Sequence, residues 1–146
     1  MEKQPKLIRL IVLFALMVLN HAVHGQGIIG QWITFDDETN KEKAVVEIYK
    51  TSDTYFARIA ENFVGEEDAI CEVCKGDKKN NPIIGLVIIE NMEMNGDGFD
   101  GGSILDPETG ETYKCYLKLI NDKELKVRGF IGFSILGRTQ YWLRKD

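Results

Sequence analysis

Thr112-Tyr113-Lys114-Cys115-Tyr116-Leu117-Lys118-Leu119-Ile120 decides the fold. Tyr113, Cys115, Leu117 and Leu119 fall on one face, and Lys114, Tyr116 and Lys118 on the other. Side chains alternate in this way along a β-strand that has one face in a core and the other in water. Asn121-Asp122-Lys123 then makes a short turn. In the run that follows, Leu125, Val127 and Gly129 lie opposite Lys126, Arg128 and Phe130. The two runs predict a β-hairpin.

Moving outward, Ile104-Leu105 meets Asp106-Pro107-Glu108-Thr109-Gly110. Pro presets φ for a turn and Gly supplies a positive φ, so this stretch predicts another hairpin connection. Asn95-Gly96-Asp97-Gly98 is a further turn, between Ile83–Met94 and Phe99–Leu105. The run Ile83–Ile89 is apolar at almost every position and reads as a strand covered on both faces. Residues 29–35, 44–50 and 54–63 supply the front strands, and 135–144 the last. About eight short strands with turn signals, and no helix-period run, predict an all-β antiparallel sandwich or closed barrel. Closure is attractive because it leaves no sheet edge exposed. Residues 65–81 stand apart: they are charged, carry two of the three Cys and end at Pro82. They read as a long loop, or as a short helix with a loop, of the kind that is often functional or caps something.

The N-terminus has the order of a secretory signal. Lys3, Lys6 and Arg9 precede the apolar run Leu10–Leu19, and Val23 and Gly25 suit the positions before a cut. We therefore expect residues 1–25 to be a signal peptide, 26–146 to form one domain, and the product to be exported, periplasmic or secreted. The apolar run is well short of the ~20 residues that span a bilayer, and no transmembrane segment is expected in the mature chain. Residues 26–146 hold 15 Lys and Arg against 22 Asp and Glu, a net charge of −7. A domain so acidic lacks the basic face that nucleic acid requires and is repelled by anionic lipid.

The available chemistry is narrow. Both histidines, His21 and His24, lie in the expected signal peptide. A mature chain without His has no Ser-His-Asp triad, no Cys-His pair and no His-ligated metal. No phosphate-binding glycine loop occurs, and no cofactor or metal is implied. Cys71-Glu72-Val73-Cys74 is a CxxC with Cys115 left over. A redox pair, a three-Cys zinc site and a structural disulfide compete as readings, and the oxidising compartment favours the disulfide. The spacing does not choose a pairing among the three. Asp97, Asp100 and Asp106 could act as paired carboxylates, but each sits beside Gly or Pro, where Asp makes turns. Non-enzymatic function is the expectation.

Arg128 and Arg138 lie on the late strands. An arginine on the inner face of a barrel needs a partner charge, either a neighbouring acid or the carboxylate or phosphate of a ligand. Together with Tyr113 they are the candidate ligand contacts. The alternative for each arginine is an exposed outer face. Trp32 and Trp142 read as core residues or plugs of a barrel end.

Five stretches together resemble a known family. They are Gly30-Gln31-Trp32; Cys71–Cys74 with Lys79–Pro82 and Gly85; Asp100-Gly101-Gly102 with Ile104–Pro107; Gly110 with Tyr113-Lys114-Cys115; and Leu125–Gly129 through Gly132 to Gly137-Arg138-Thr139-Gln140. In order and extent they resemble the exported bacterial domain-of-unknown-function family 2147. The resemblance implies a lipocalin-like or fatty-acid-binding-like barrel and brings no activity with it. Gly30-x-Trp32 looks like the lipocalin opening signature, in which the Trp closes one barrel end. Arg144 would pack across that Trp as a lipocalin's terminal Arg does.

A binding barrel for a small apolar or amphipathic ligand is the first functional expectation. Its alternative is a structural or interaction protein of the cell envelope with a filled core, whose contact surface is the tract Glu66–Lys79. No protein partner is identifiable from the residues.

Overall fold

The computed structural model describes residues 27–133 and 135–146. The expected signal peptide lies outside them. Nine strand segments follow one another: β1 (Gly30–Phe35), β2 (Glu42–Thr51), β3 (Thr54–Asn62), β4 (Val87–Asn95), β5 (Gly98–Asp100), β6 (Ser103–Asp106), β7 (Glu111–Asn121), β8 (Glu124–Phe130) and β9 (Gly137–Arg144). β5 and β6 are two halves of one bent strand, because both pair with β4 on one side and β7 on the other. Gly101-Gly102 is the bend. Gly101 has φ +79°, and a Cβ on Gly102 would lie 2.1 Å from the Glu90 carbonyl oxygen.

Every strand pairs antiparallel with the next, and β9 returns to β1 through Trp32↔Arg144 and Ile33↔Leu143. The result is a closed, eight-stranded, antiparallel up-and-down barrel. The deciding strand behaves as its alternation requires. Cys115 and Leu117 are buried inside with Leu119 packed against the core, while Lys118 reaches outward to Asp97 at 2.6 Å. Its neighbour β8 turns Leu125 and Val127 to the same interior.

The turns form where the residues dictate. Asp106 Oδ1 accepts the Glu108 amide at 2.9 Å, the Gly110 amide donates to the Asp106 carbonyl at 2.8 Å, and Gly110 takes φ +71°.

Residues 83–89 depart from expectation. The strand begins only at Val87, and Ile84 is exposed. Gly85 turns at φ +91°, and its amide donates to Ile59 O at 2.7 Å, so Ile83–Leu86 is a bent lead-in to β4. Register shifts opposite Ala57 let the adjacent Ile88 and Ile89 both enter the core. Irregular pairing, rather than two-sided cover, explains the unbroken apolar run.

Residues 63–86 form one docked excursion. It contains a single 3₁₀ turn, Gly76–Lys78, and an isolated bridge between Ile70 and Pro82. Cys71 and Cys74 form a disulfide within it, and Cys115 is a free, buried thiol. Both disulfide cysteines are buried in the core cluster. Lys75 pairs with Glu111 at 2.6 Å and Lys78 with Glu90, which fastens the excursion to the barrel wall.

Candidate functional site

In a meander barrel, alternate turns gather at opposite ends. The chain before β1, turns 52–53, 96–97 and 122–123, and the chain after β9 share one end. Turns 36–41, 63–86, 107–110 and 131–136 share the other.

The first end is filled. Trp32 is fully buried there, and its indole N–H donates to Ile28 O at 2.8 Å. The Arg144 guanidinium lies over the Trp32 ring, 4.2 Å from its centre. It donates to Asp122 O, Ile29 O and Gly27 O at 2.5, 3.2 and 2.7 Å. Burial lowers the Arg144 pKa, with the Asp122 charge opposing. Gly30 makes room for this arrangement. It has φ +132°, and a Cβ there would meet Arg144 Nη1 at 3.0 Å. Above this end Ile48, Ala57, Met92, Leu117 and Leu125 pack tightly, with Tyr55 and Phe99 in an edge-to-face contact at 4.8 Å.

The second end is hollow. A cavity of about 610 Å³ opens there. Val46, Ile59, Ile88, Leu105 and Val127 form its walls, Ala44 and Gly129 leave it wide, and Trp142 closes it toward the packed half. Small side chains at Ala44 and Gly129 leave this half unfilled. The volume is in the range of small-molecule sites, which are mostly apolar with a few placed polar groups.

Those polar groups lie near the rim. Arg138, Gln140 and Trp142 share the inner face of β9. Arg138 forms an ion pair with Asp37 of turn 36–41. Gln140 donates to Asp37 Oδ1 at 2.7 Å and accepts the Trp142 indole N–H at 3.1 Å. Burial works to raise the Asp37 pKa, but the hydrogen bonds from Arg138 and Gln140 and the Arg138 charge overcome it and hold it below the ordinary carboxylate value. Lys43 pairs with Glu108 across the opening at 2.7 Å. Thr34 donates to Ala44 O at 3.4 Å. Among the described residues no buried side-chain polar atom lacks a hydrogen-bond partner.

Of the sequence-derived candidates, the cavity brings together Tyr113 and Arg138. Arg128 is elsewhere. It shares the outer face of β8 with Lys126 and donates to Thr139 Oγ1 at 2.7 Å and Ile135 O at 3.2 Å. The physical reason is the two-residue period, which commits Arg128 outward once Val127 is inside. Asp37, Lys43, Glu108 and Gln140 were not singled out by the sequence. Gln140 could have been, as the residue between Arg138 and Trp142 on one face. Asp37 could not, because its partners are about a hundred residues away.

The rim is also apolar. Phe133 and Ile135 are 85% and 86% exposed on turn 131–136, with Ile131 and Leu136 beside them. Among the described residues, no three or more of His, Cys, Asp and Glu are placed to hold a metal. No helix among them is long and apolar enough to cross a membrane.

A closed meander with one plugged end and one hollow end is the architecture of a lipocalin-like protein. The fold is shared with a solved structure described as "Protein HP1028 from the human pathogen Helicobacter pylori belongs to the lipocalin family". The TM-score is 0.73 at 16% identity, covering 82% of this chain and 84% of that one. The chain belongs to the bacterial family described as "Uncharacterized protein conserved in bacteria (DUF2147)", whose pattern matches residues 30–144. No curated protein matches the sequence.

Proposed function

We propose that this protein is an exported, non-enzymatic binding barrel that holds one small apolar or amphipathic molecule in its hollow half. The cavity of about 610 Å³, with aliphatic walls, carries the reading. A barrel filled by its own side chains would serve the alternative, an envelope protein working through its loops. Here only the half around Trp32 is filled in that way. Export is supported by the order of residues 3–25 and by the Cys71–Cys74 disulfide. Trp32 and Arg144 act as the plug, and Tyr113 and Arg138 stand where the ligand's polar end would lie.

The test is a titration with the uncharged fluorescent probe N-phenyl-1-naphthylamine. The expected result is saturable binding of one probe per chain, lost in Ala44→Phe, which fills the cavity from a buried wall position. Absence of binding to the native protein, or equal binding to Ala44→Phe with an unchanged fold, would reject the proposal.

A further inference from the structure

The hollow half has a chemical preference that follows from how its rim charges are spent. Two cations, Lys43 and Arg138, line the cavity, and each already faces a carboxylate: Glu108 at 2.7 Å and Asp37. Asp106 and Glu108 line it as well and both act on Arg138, raising its pKa after the larger effect of Asp37. Asp36, next to Asp37, is held ionised by hydrogen bonds from Thr39 and Glu38. Three carboxylates, Asp37, Asp106 and Glu108, therefore stand with two cations at the opening. An incoming carboxylate or phosphate would meet excess negative charge and would have to displace an acid from its partner. Like charges brought together at a binding site weaken binding.

The interior beneath the rim offers no cation. Its polar groups are Thr34, Asn62, Gln140 and the Trp142 indole, all bonded to one another or to backbone or rim groups. Tyr113 differs. Its side chain lines the cavity, and its hydroxyl makes no hydrogen bond to another described residue. A phenol hydroxyl can donate one hydrogen bond and accept others, which suits an alcohol, ester or ketone oxygen.

Building on the binding reading above, we infer that the ligand class is a long apolar body with an uncharged oxygen-bearing head, and that the rim selects against anionic amphiphiles. Tyr113 meets the head, and the Arg138–Asp37 and Lys43–Glu108 pairs act as closed electrostatic latches.

Three ligands of one chain length separate the possibilities: dodecanol, methyl dodecanoate and dodecanoate, each titrated by displacement of the neutral probe at pH 8. At that pH the free acid is fully ionised. The native protein should bind the alcohol and the ester at least about tenfold more tightly than the acid. The double variant Asp37→Asn/Glu108→Gln releases both cations, and should raise dodecanoate affinity about tenfold while leaving dodecanol within about twofold. Tyr113→Phe should weaken the alcohol and the ester by about threefold to tenfold. Dodecanoate binding the native protein as tightly as dodecanol would overturn the inference without help from any variant. So would a double variant that folds but gains nothing for the acid. Failure of all three ligands together with the probe would defeat the binding reading itself, and this one with it.

Discussion

Arg144→Ala should cost about 3 kcal/mol, an estimate built from the contacts at the plugged end. The guanidinium spans three backbone carbonyls, those of Gly27, Ile29 and Asp122, so it ties the chain before β1 to turn 122–123. In a half-exposed setting each such bond contributes about 1 kcal/mol. Its stacking on the Trp32 ring at 4.2 Å adds about 1 kcal/mol. Water reaching the freed carbonyls returns about 1 kcal/mol of that total. Arg144→Lys keeps the charge but cannot reach three carbonyls with one ammonium group, and should lose about 1–2 kcal/mol. Urea unfolding followed by far-ultraviolet circular dichroism reads the effect. With a slope of about 1.5 kcal/mol/M, the Arg144→Ala midpoint falls by about 2 M and the slope stays the same. Gly30→Ala supplies a second check, because its Cβ would press on Arg144 Nη1. Its cost should shrink by at least about 0.5 kcal/mol when Arg144 is already Ala. An Arg144→Ala protein within about 0.5 kcal/mol of native, or strictly additive Gly30 and Arg144 effects, would refute this account of the plug.

Other consequences can be tested separately. Burial pushes the Cys115 thiol up to about 12, so the folded protein keeps a proton that the unfolded chain releases at lower pH. The sign is therefore that Cys115 costs no stability below about pH 8.5 and erodes it as pH rises toward the folded value. Cys115→Ala should flatten the alkaline fall in stability, and native Cys115 should resist iodoacetamide until urea is added. Gly110→Ala places a Cβ 2.0 Å from Val73 O at φ +71°, so it should undock the disulfide excursion. We expect a loss of about 2 kcal/mol or more and faster proteolysis within residues 63–86. Phe133→Ser removes an 85% exposed side chain and should change stability by less than about 0.5 kcal/mol.

The parts of this molecule that were readable in the sequence are those where local rules coincide with the final structure. The alternation in Thr112–Ile120 survives because that strand is paired on both sides, in regular register as far as Leu119, and buried on one face. Pro107 and Gly110 marked their turn because φ preferences act on single residues. Residues 83–89 misled because Gly85 and the shifted pairing opposite Ala57 break the period that a pattern relies on. The disulfide pairing stayed open for a related reason. Loop entropy favours the longer ring to Cys115, but Cys115 is committed to the barrel interior while the excursion brings Cys71 and Cys74 to a Cα separation of 5.4 Å.

The site was legible by half. Of the face shared by Arg138, Gln140 and Trp142 only Arg138 was expected at the ligand, and Arg128, expected there too, is turned outward by the same two-residue period. The Asp37 and Glu108 partners are not legible, since they belong to turns that only barrel closure brings to the same rim. The cavity itself is a difference between two halves of one interior, and no local pattern reports a volume that is left empty.

Fluorescence quenching by a bromine-labelled long-chain alcohol tests the central claim most directly, because the two tryptophans sit in different halves. Trp142 lines the cavity, and Trp32 lies beneath the packed layer at the plug. In Trp32→Phe, where Trp142 is the remaining reporter, one bound equivalent should quench most of the emission. In Trp142→Phe, where Trp32 remains, the same alcohol should leave the emission nearly unchanged. Equal quenching of the two, or of neither at saturating alcohol, would contradict a ligand held in the hollow half of this barrel.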